Sequence, residues 1–357
     1  MKTSNKYLIV DNISFSYDQK EEILTNVSFS LDRDDTLVIL GASGDGKTTL
    51  LRVIAGSLVE ENGDVYINGE SQASIPAHKR NIAYLFQQVN LYSHLSIYEN
   101  LMFGFKKQKI SFEEKDIRVK KILQRLKISK FVNLKPKFLS LGQQQKIAIG
   151  KALLSNADLY LFDEPFSALD QNSRYEFLEL LKEEKSSINV PFIYVTHEKD
   201  DAYKIATKIL ILKEGKVLQF GTIEEITNNP SHADVFNFIG ERHNHIPAIL
   251  ENNIVEFENI KIKYLSKNNY FGNVYFSLPI SSFSLSKKET TSTLKGNFIK
   301  AYVDKNGNNF IYVDYRGTVI EIPHNTFPLF DANEEVFFEI DIDQFFIFNQ
   351  TTKKRIY

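Results

Sequence analysis

A chain of 357 residues with 43% hydrophobic and 25% charged residues has the make-up of a globular protein long enough for two domains, not of a disordered one. The absence of cysteine excludes a disulfide framework and a thiolate metal site, and a formal net charge of −2 gives no electrostatic reason to expect nucleic acid as a partner. No segment approaches the roughly 18 uninterrupted apolar residues of a membrane-spanning helix, and Met1–Asp11 lacks the charged-then-apolar order of a secretion signal, so the chain is expected to stay in the cytosol and reach a membrane only through another protein.

From Tyr7 to about Gly221, short apolar runs alternate with segments of helical period, the pattern of a sheet carrying crossover helices. Leu37–Leu40 reads as a buried strand. It runs directly into Gly41-Ala42-Ser43-Gly44-Asp45-Gly46-Lys47-Thr48, two glycines flanking four residues and then Lys and Thr, and on into a helix expected over Lys47–Ala55 and closed by Gly56. Glycines let backbone N–H groups turn inward around phosphate, the helix start adds positive potential, Lys47 supplies a point charge and Thr48 a Mg²⁺ ligand. Gly41, Ser43, Gly44, Gly46, Lys47, Thr48 and Thr49 are therefore the candidate phosphate-binding residues. Asp45 places a carboxylate in a loop built for anions, and is expected to point outward.

Between about Val89 and Pro136 the reading shifts to helix, with Val119, Ile122, Leu123 and Leu126 at the spacing of one buried face, which predicts a helical insertion. Strands follow over Asp158–Phe162 and Phe192–Val195. The first ends in Asp163 and Glu164, so both carboxylates belong at the carboxyl end of a strand, facing the crevice where open α/β sheets hold ligands. With a phosphate loop upstream, Asp163 is expected to hold the Mg²⁺ shell and Glu164 to orient or deprotonate an attacking water. After Gly240, the polar, proline-closed string Glu241–Pro247 is expected to be a linker, and its His243 and His245, without a third ligand, to be solvated. The remainder reads as all-β: Gly296–Val303, Asn309–Tyr315, Gly317–Ile322 and Val336–Ile342 are short, β-branched and aromatic, with Asn306-Gly307 as a hairpin signal and a small barrel as the outcome.

A phosphate loop alone leaves kinases, GTPases and many ATPases open. Leu139-Ser140-Leu141-Gly142-Gln143, running on as Gln144-Gln145-Lys146, resembles the signature sequence of ABC ATPases, whose usual form has glycine where Leu141 stands. Together with Tyr17, Gln87, the stretch Ser167-Ala168-Leu169-Asp170 and His197, in that order, it makes the chain from about Tyr7 to Gly240 resemble a complete ABC nucleotide-binding domain. The resemblance implies an α/β P-loop NTPase domain over residues 1–238, with a helical subdomain at about 89–136, followed by an all-β, oligosaccharide-binding-like (OB or TOBE-like) regulatory or dimerisation domain over 239–357.

It also implies roles. Tyr17 would stack on adenine, Gln87 would reach the Mg²⁺ and the water, and His197 would bond the γ-phosphate and fix the water's geometry. Ser140, Gly142 and Gln143, opening a second helix over Gln143–Leu154, would cap the ATP held by a second copy of the chain, with Asp170 along the seam. The implied protein is an ATP- and Mg²⁺-dependent homodimeric ATPase on the cytoplasmic face of the inner membrane, docked to permease subunits and served indirectly by a substrate-binding protein. Leu91, Tyr92 and Leu95 lie where such ATPases receive a short helix of the membrane subunit, half of that apolar surface belonging to the helical core. The β-rich tail resembles that of importers. An exporter ATPase and a soluble ABC ATPase are the alternatives.

Overall fold

The computed structural model describes residues 6–357 except 19–20, 107, 167–168, 258–259, 265, 267–269, 287, 291–292, 305–306 and 326–329. Ser167, Ala168 and Asn306 thus lie outside the described residues. The chain divides into two compact units, Met1–Ile226 and Thr227–Tyr357.

The first unit is built on a six-stranded sheet in the order Lys216–Gly221, Lys208–Lys213, Thr36–Leu40, Phe192–Val195, Leu159–Asp163, Ile82–Leu85. All neighbours run parallel except the first pair, which is antiparallel. Thr36–Leu40, Leu159–Asp163 and Phe192–Val195 are buried along their whole length, as strands covered on both faces must be. A second, antiparallel sheet orders Glu22–Leu31, Leu8–Ser16, Asn62–Ile67 and Glu70–Ser71. Helix α1, Lys47–Ile54, joins the two sheets into one core, in which Leu50, Leu51, Val53 and Ile54 pack with Val10, Leu24, Leu37 and Leu159.

The helical insertion contains α2, Ile97–Met102, and α3, Phe112–Arg125. Serine caps start both, Ser96 accepting from Glu99 N–H and Ser111 from Glu114 N–H. The predicted apolar face is the buried one, with Val119, Ile122, Leu123 and Leu126 all shielded from solvent. Then come α4, Leu141–Leu153, α5, Gln171–Ser187, and α6, Lys199–Ile205.

The second unit holds α8, Val235–Ile239, which follows α7, Ile223–Asn228, and two five-stranded antiparallel sheets. One runs Ile260–Lys263, Ile254–Phe257, His243–Glu251, Gly272–Pro279, Phe346–Asn349. The other runs Phe283–Ser286, Glu335–Ile340, Leu294–Val303, Asn309–Tyr315, Thr318–His324, and its two edge strands approach each other, curling it toward the expected barrel. Gly307 takes φ +84° in the turn where the hairpin was expected.

Two expectations for this unit fail. Glu241–Pro247 is not a linker, because His243–Glu251 is a strand paired along Gly272–Pro279, and Asn244 exchanges two 2.9 Å hydrogen bonds with the Glu321 backbone. Pro247 is tolerated because the strand on its other side pairs only from Ile249 onward. Nor are His243 and His245 solvated. Phe236 of α8 stacks on the His243 ring at 3.7 Å, and burial pushes the two imidazoles down to about 3 and about 4. The boundary between units lies ahead of residue 238 for the same reason, since the segment preceding the strand is tied to the C-terminus through Ala233 N–H to Lys353 O, 2.9 Å, and Lys353 to Asp234, 3.0 Å.

Candidate functional site

The loop after Thr36–Leu40 lies at the carboxyl end of the sheet, and two of its glycines have no substitute. A Cβ at Gly41 would stand 2.6 Å from the Leu212 carbonyl. Gly46, at φ +93°, caps α1 in the left-handed region and packs so closely that a Cβ would meet Ile23 O at 2.9 Å. Lys47 is buried, and its ammonium donates to the carbonyls of Gly41, 2.9 Å, and Ala42, 2.6 Å. Burial lowers its pKa against the opposing pull of Glu164, Asp45 and Asp163. Ser43 and Gly44 stay exposed at the loop's tip, and Thr49 is buried one turn into the helix.

Asp45 does not point outward. Its side chain folds back under the loop, one oxygen accepting from Ala42 N–H at 2.5 Å and the other from Glu214 N–H at 3.0 Å, with 9% of the residue exposed. Backbone donors that no helix or sheet satisfies draw the carboxylate inward.

Four adjacent parallel strands deliver the remaining groups to the same end of the sheet. Asp163, the last residue of Leu159–Asp163, accepts from Thr48 Oγ1 at 2.9 Å and from the Tyr84 hydroxyl at 3.2 Å. Burial raises its pKa while those two hydrogen bonds and Arg52 oppose the rise. Glu164 sits at φ +46°, a conformation that a non-glycine residue adopts at a cost of roughly 1–3 kcal/mol and that recurs at functional sites. Gln87 Nε2 donates to Glu164 at 3.3 Å, and His197 Nδ1 lies 3.8 Å from the other Glu164 oxygen. Lys47, Thr48, Asp163, Glu164, Gln87 and His197 thus form one cluster.

Thr48 and Asp163 present a hydroxyl and a carboxylate already in contact, hard oxygen donors of the kind Mg²⁺ takes alongside phosphate oxygens. Among the described residues no group of three or more His, Cys, Asp or Glu could hold a metal ion.

Tyr17 stands beside this cluster, 58% exposed, with its hydroxyl 3.3 Å from Thr49 Oγ1 and its ring edge-on to Phe15. The signature segment does not join it. Ser140 caps α4, accepting from Gln143 N–H at 3.3 Å, while the Gln143 side chain accepts from Ser140 N–H at 3.0 Å. Gly142 follows in the first turn, and Leu141 is 55% exposed. Asp170 caps α5, accepting from Ser173 N–H at 3.0 Å, and is exposed.

Residues 24–167 match the profile of the ABC transporter family. Over 249 residues, 70% of this chain and 72% of the relative, the sequence is 35% identical to the molybdate/tungstate import ATP-binding protein WtpC of Pyrococcus abyssi. The chain belongs to the ABC transporter family. As an ABC ATPase it is also 30% identical to the Fe(3+) ions import ATP-binding protein FbpC of Fusobacterium nucleatum, an alignment of 356 residues that takes in 98% of this chain and 91% of that one. Its fold matches the dimeric, post-hydrolysis structure of the ATP-binding cassette MJ0796 bound to ADP and Pi, with a TM-score of 0.56, 28% identity, 60% of this chain covered and 98% of the other. The site is therefore one that binds and hydrolyses ATP.

Three polar residues, one on this cluster and two on the helices that follow its neighbouring segments, carry no signal in the sequence. Tyr84 reads as one more aromatic in a strand, although its hydroxyl holds Asp163. Arg174, half-buried, pairs with the buried Asp201 at 2.7 Å across 27 residues of sequence, a contact no local pattern announces.

Proposed function

We propose that the chain is the energising subunit of a substrate importer, working as a head-to-tail pair docked to permease subunits on the cytoplasmic face of the membrane. The single observation that carries this reading is the cluster of Lys47, Thr48, Asp163, Glu164, Gln87 and His197, complete for one face of a triphosphate, while a second anion-suited helix start at Ser140 is capped by its own first turn. One chain therefore offers both halves of a clamp without closing it.

In the pair, Lys47 and the loop N–H groups grip the phosphates and Tyr17 stacks on adenine through its exposed ring. Thr48 and Asp163, with Gln87, would hold Mg²⁺, which would supply neutralisation of charge on the phosphate oxygens. Glu164, held on one side by Gln87 and flanked by His197, orients and deprotonates the attacking water. Ser140, Gly142 and Gln143 of the other copy exchange their mutual cap for the γ-phosphate, and Asp170 lies along the seam.

Docking to a membrane protein is supported by an apolar groove beside the edge strand Ile82–Leu85, a cavity of about 280 Å³ lined by Tyr84, Phe86, Asn90, Phe103 and Lys151. Tyr92, 38% exposed, packs its ring at a tilt against Phe103 at 4.5 Å and carries the Lys151 ammonium on its ring at 4.3 Å, so part of the surface expected to receive a helix is open and part is packed. Among the described residues no helix is long and apolar enough to cross a membrane. Import is supported by the names of the two relatives, whose cargoes, an oxyanion and a cation, share no chemistry. Cargo choice thus belongs to the other subunits.

An affinity-tagged chain isolated from its own cells in mild detergent should bring down an integral membrane protein, and vesicles holding that complex should take up cargo only with ATP. Recovery of the chain alone, in every detergent tried, contradicts the reading.

A further inference from the structure

Helices α5 and α6 start at the two segments that flank the chemistry, α5 at Asp170 and α6 just after His197. A polar network centred on the buried Asp201 ties the two starts together. Arg174 lies in the turn that Asp170 opens, its backbone N–H donating to the Asp170 carbonyl at 2.9 Å. Its guanidinium grips Asp201 of α6 with two bonds, Nε to one oxygen at 2.8 Å and a terminal nitrogen to the other at 2.7 Å. Asp201 is 1% exposed and also accepts from the Tyr194 hydroxyl at 2.6 Å and Thr196 Oγ1 at 3.2 Å, so it is fixed to the strand leading into His197. The remaining Arg174 nitrogen reaches Glu198 Oε1 at 3.2 Å, and that same oxygen lies 3.7 Å from His197 Nε2, on the side of the ring away from Glu164.

We propose that Arg174 is a positioning residue for hydrolysis, which holds the His197 loop in fixed register with the Asp170 turn, so that seating Asp170 against a second copy sets the imidazole beside Glu164. The inference rests on the paired-ATPase reading above. The geometry suits the task because a two-bonded guanidinium fixes both distance and plane, whereas a lone ammonium fixes neither. With its Asp201 end buried and its guanidinium paired twice, the link is stiff, while His197 itself is 60% exposed.

The test is steady-state ATPase kinetics of the full chain with ATP affinity and melting temperature measured alongside. Wild type first establishes the underlying reading, since no hydrolysis, or a specific rate independent of protein concentration, would remove the paired ATPase and not this linkage. Arg174→Gln should lower kcat by about tenfold or more with ATP Kd nearly unchanged, and Arg174→Lys should recover only part of the loss. Since Arg174→Gln leaves Asp201 buried without its partner, at a cost in stability, Glu198→Ala provides a second route that leaves the Arg174–Asp201 pair intact and should also lower kcat at unchanged melting temperature. In a His197→Ala background neither change should cost further activity, because there is no imidazole left to place. Full kcat in Glu198→Ala and in any Arg174 variant that folds, or losses that add fully to that of His197→Ala, would overturn the proposal.

Discussion

At Asp45 a carboxylate occupies a loop whose task is to receive a triphosphate. Its two bonds to Ala42 and Glu214 N–H groups brace the loop against the turn after Lys208–Lys213, and its charge opposes the incoming phosphates. Asp45→Asn keeps one acceptor oxygen and removes the charge, so ATP should bind several-fold more tightly, by about 1 kcal/mol at the damped strength of partly screened charges. Titration calorimetry checks it, and weaker binding would show that the bracing outweighs the repulsion. The loop itself is legible because its demands are local, glycines where a Cβ collides and a lysine where phosphate charge gathers. The direction of Asp45 is not, because the donor it satisfies at Glu214 is 169 residues away.

Among elements, the strand His243–Glu251 shows how composition misleads. Its first residues are polar enough for a linker, yet burial alternates along it, and the faces toward α8 and the sheet close over both histidines. Their folded pKa values, about 3 and about 4, lie below the ordinary 6.5, so the unfolded chain takes up protons that the folded one refuses. The stability they permit is complete above pH 6.5 and is lost as pH falls toward 4, in spite of the nearby carboxylates of Glu241 and Asp234. At pH 5 the cost is on the order of 2 kcal/mol per histidine. Thermal melts between pH 7 and pH 5 should show the transition of the C-terminal unit dropping in wild type and staying nearly level in His243→Phe/His245→Phe; a level wild-type profile would contradict the burial. The helices of the first unit follow more local rules, since the apolar spacing of α3 names its buried face, and the structure shows Ser96, Ser111 and Ser140 each capping a start that the sequence reading does not place there.

For the whole molecule, order along the sequence carries most of the meaning. Gly41 to Thr48, Gln87, Asp163-Glu164 and His197 follow four neighbouring strands, so motifs scattered over more than a hundred residues meet at one sheet end. Ser140 caps its own helix and makes none of the contacts that join that cluster, and under the paired reading proposed above a second polypeptide brings its helix start to the triphosphate. The absence of native cysteine makes this directly measurable. In a Glu164→Gln chain, which on the proposed role of Glu164 should bind ATP without consuming it, Ser43→Cys and Ser140→Cys placed together and treated with a short thiol cross-linker should give an ATP-dependent product of twice the 41.2 kDa chain mass. A cross-link that closes within one chain, or a dimer formed equally without ATP, would contradict the shared site.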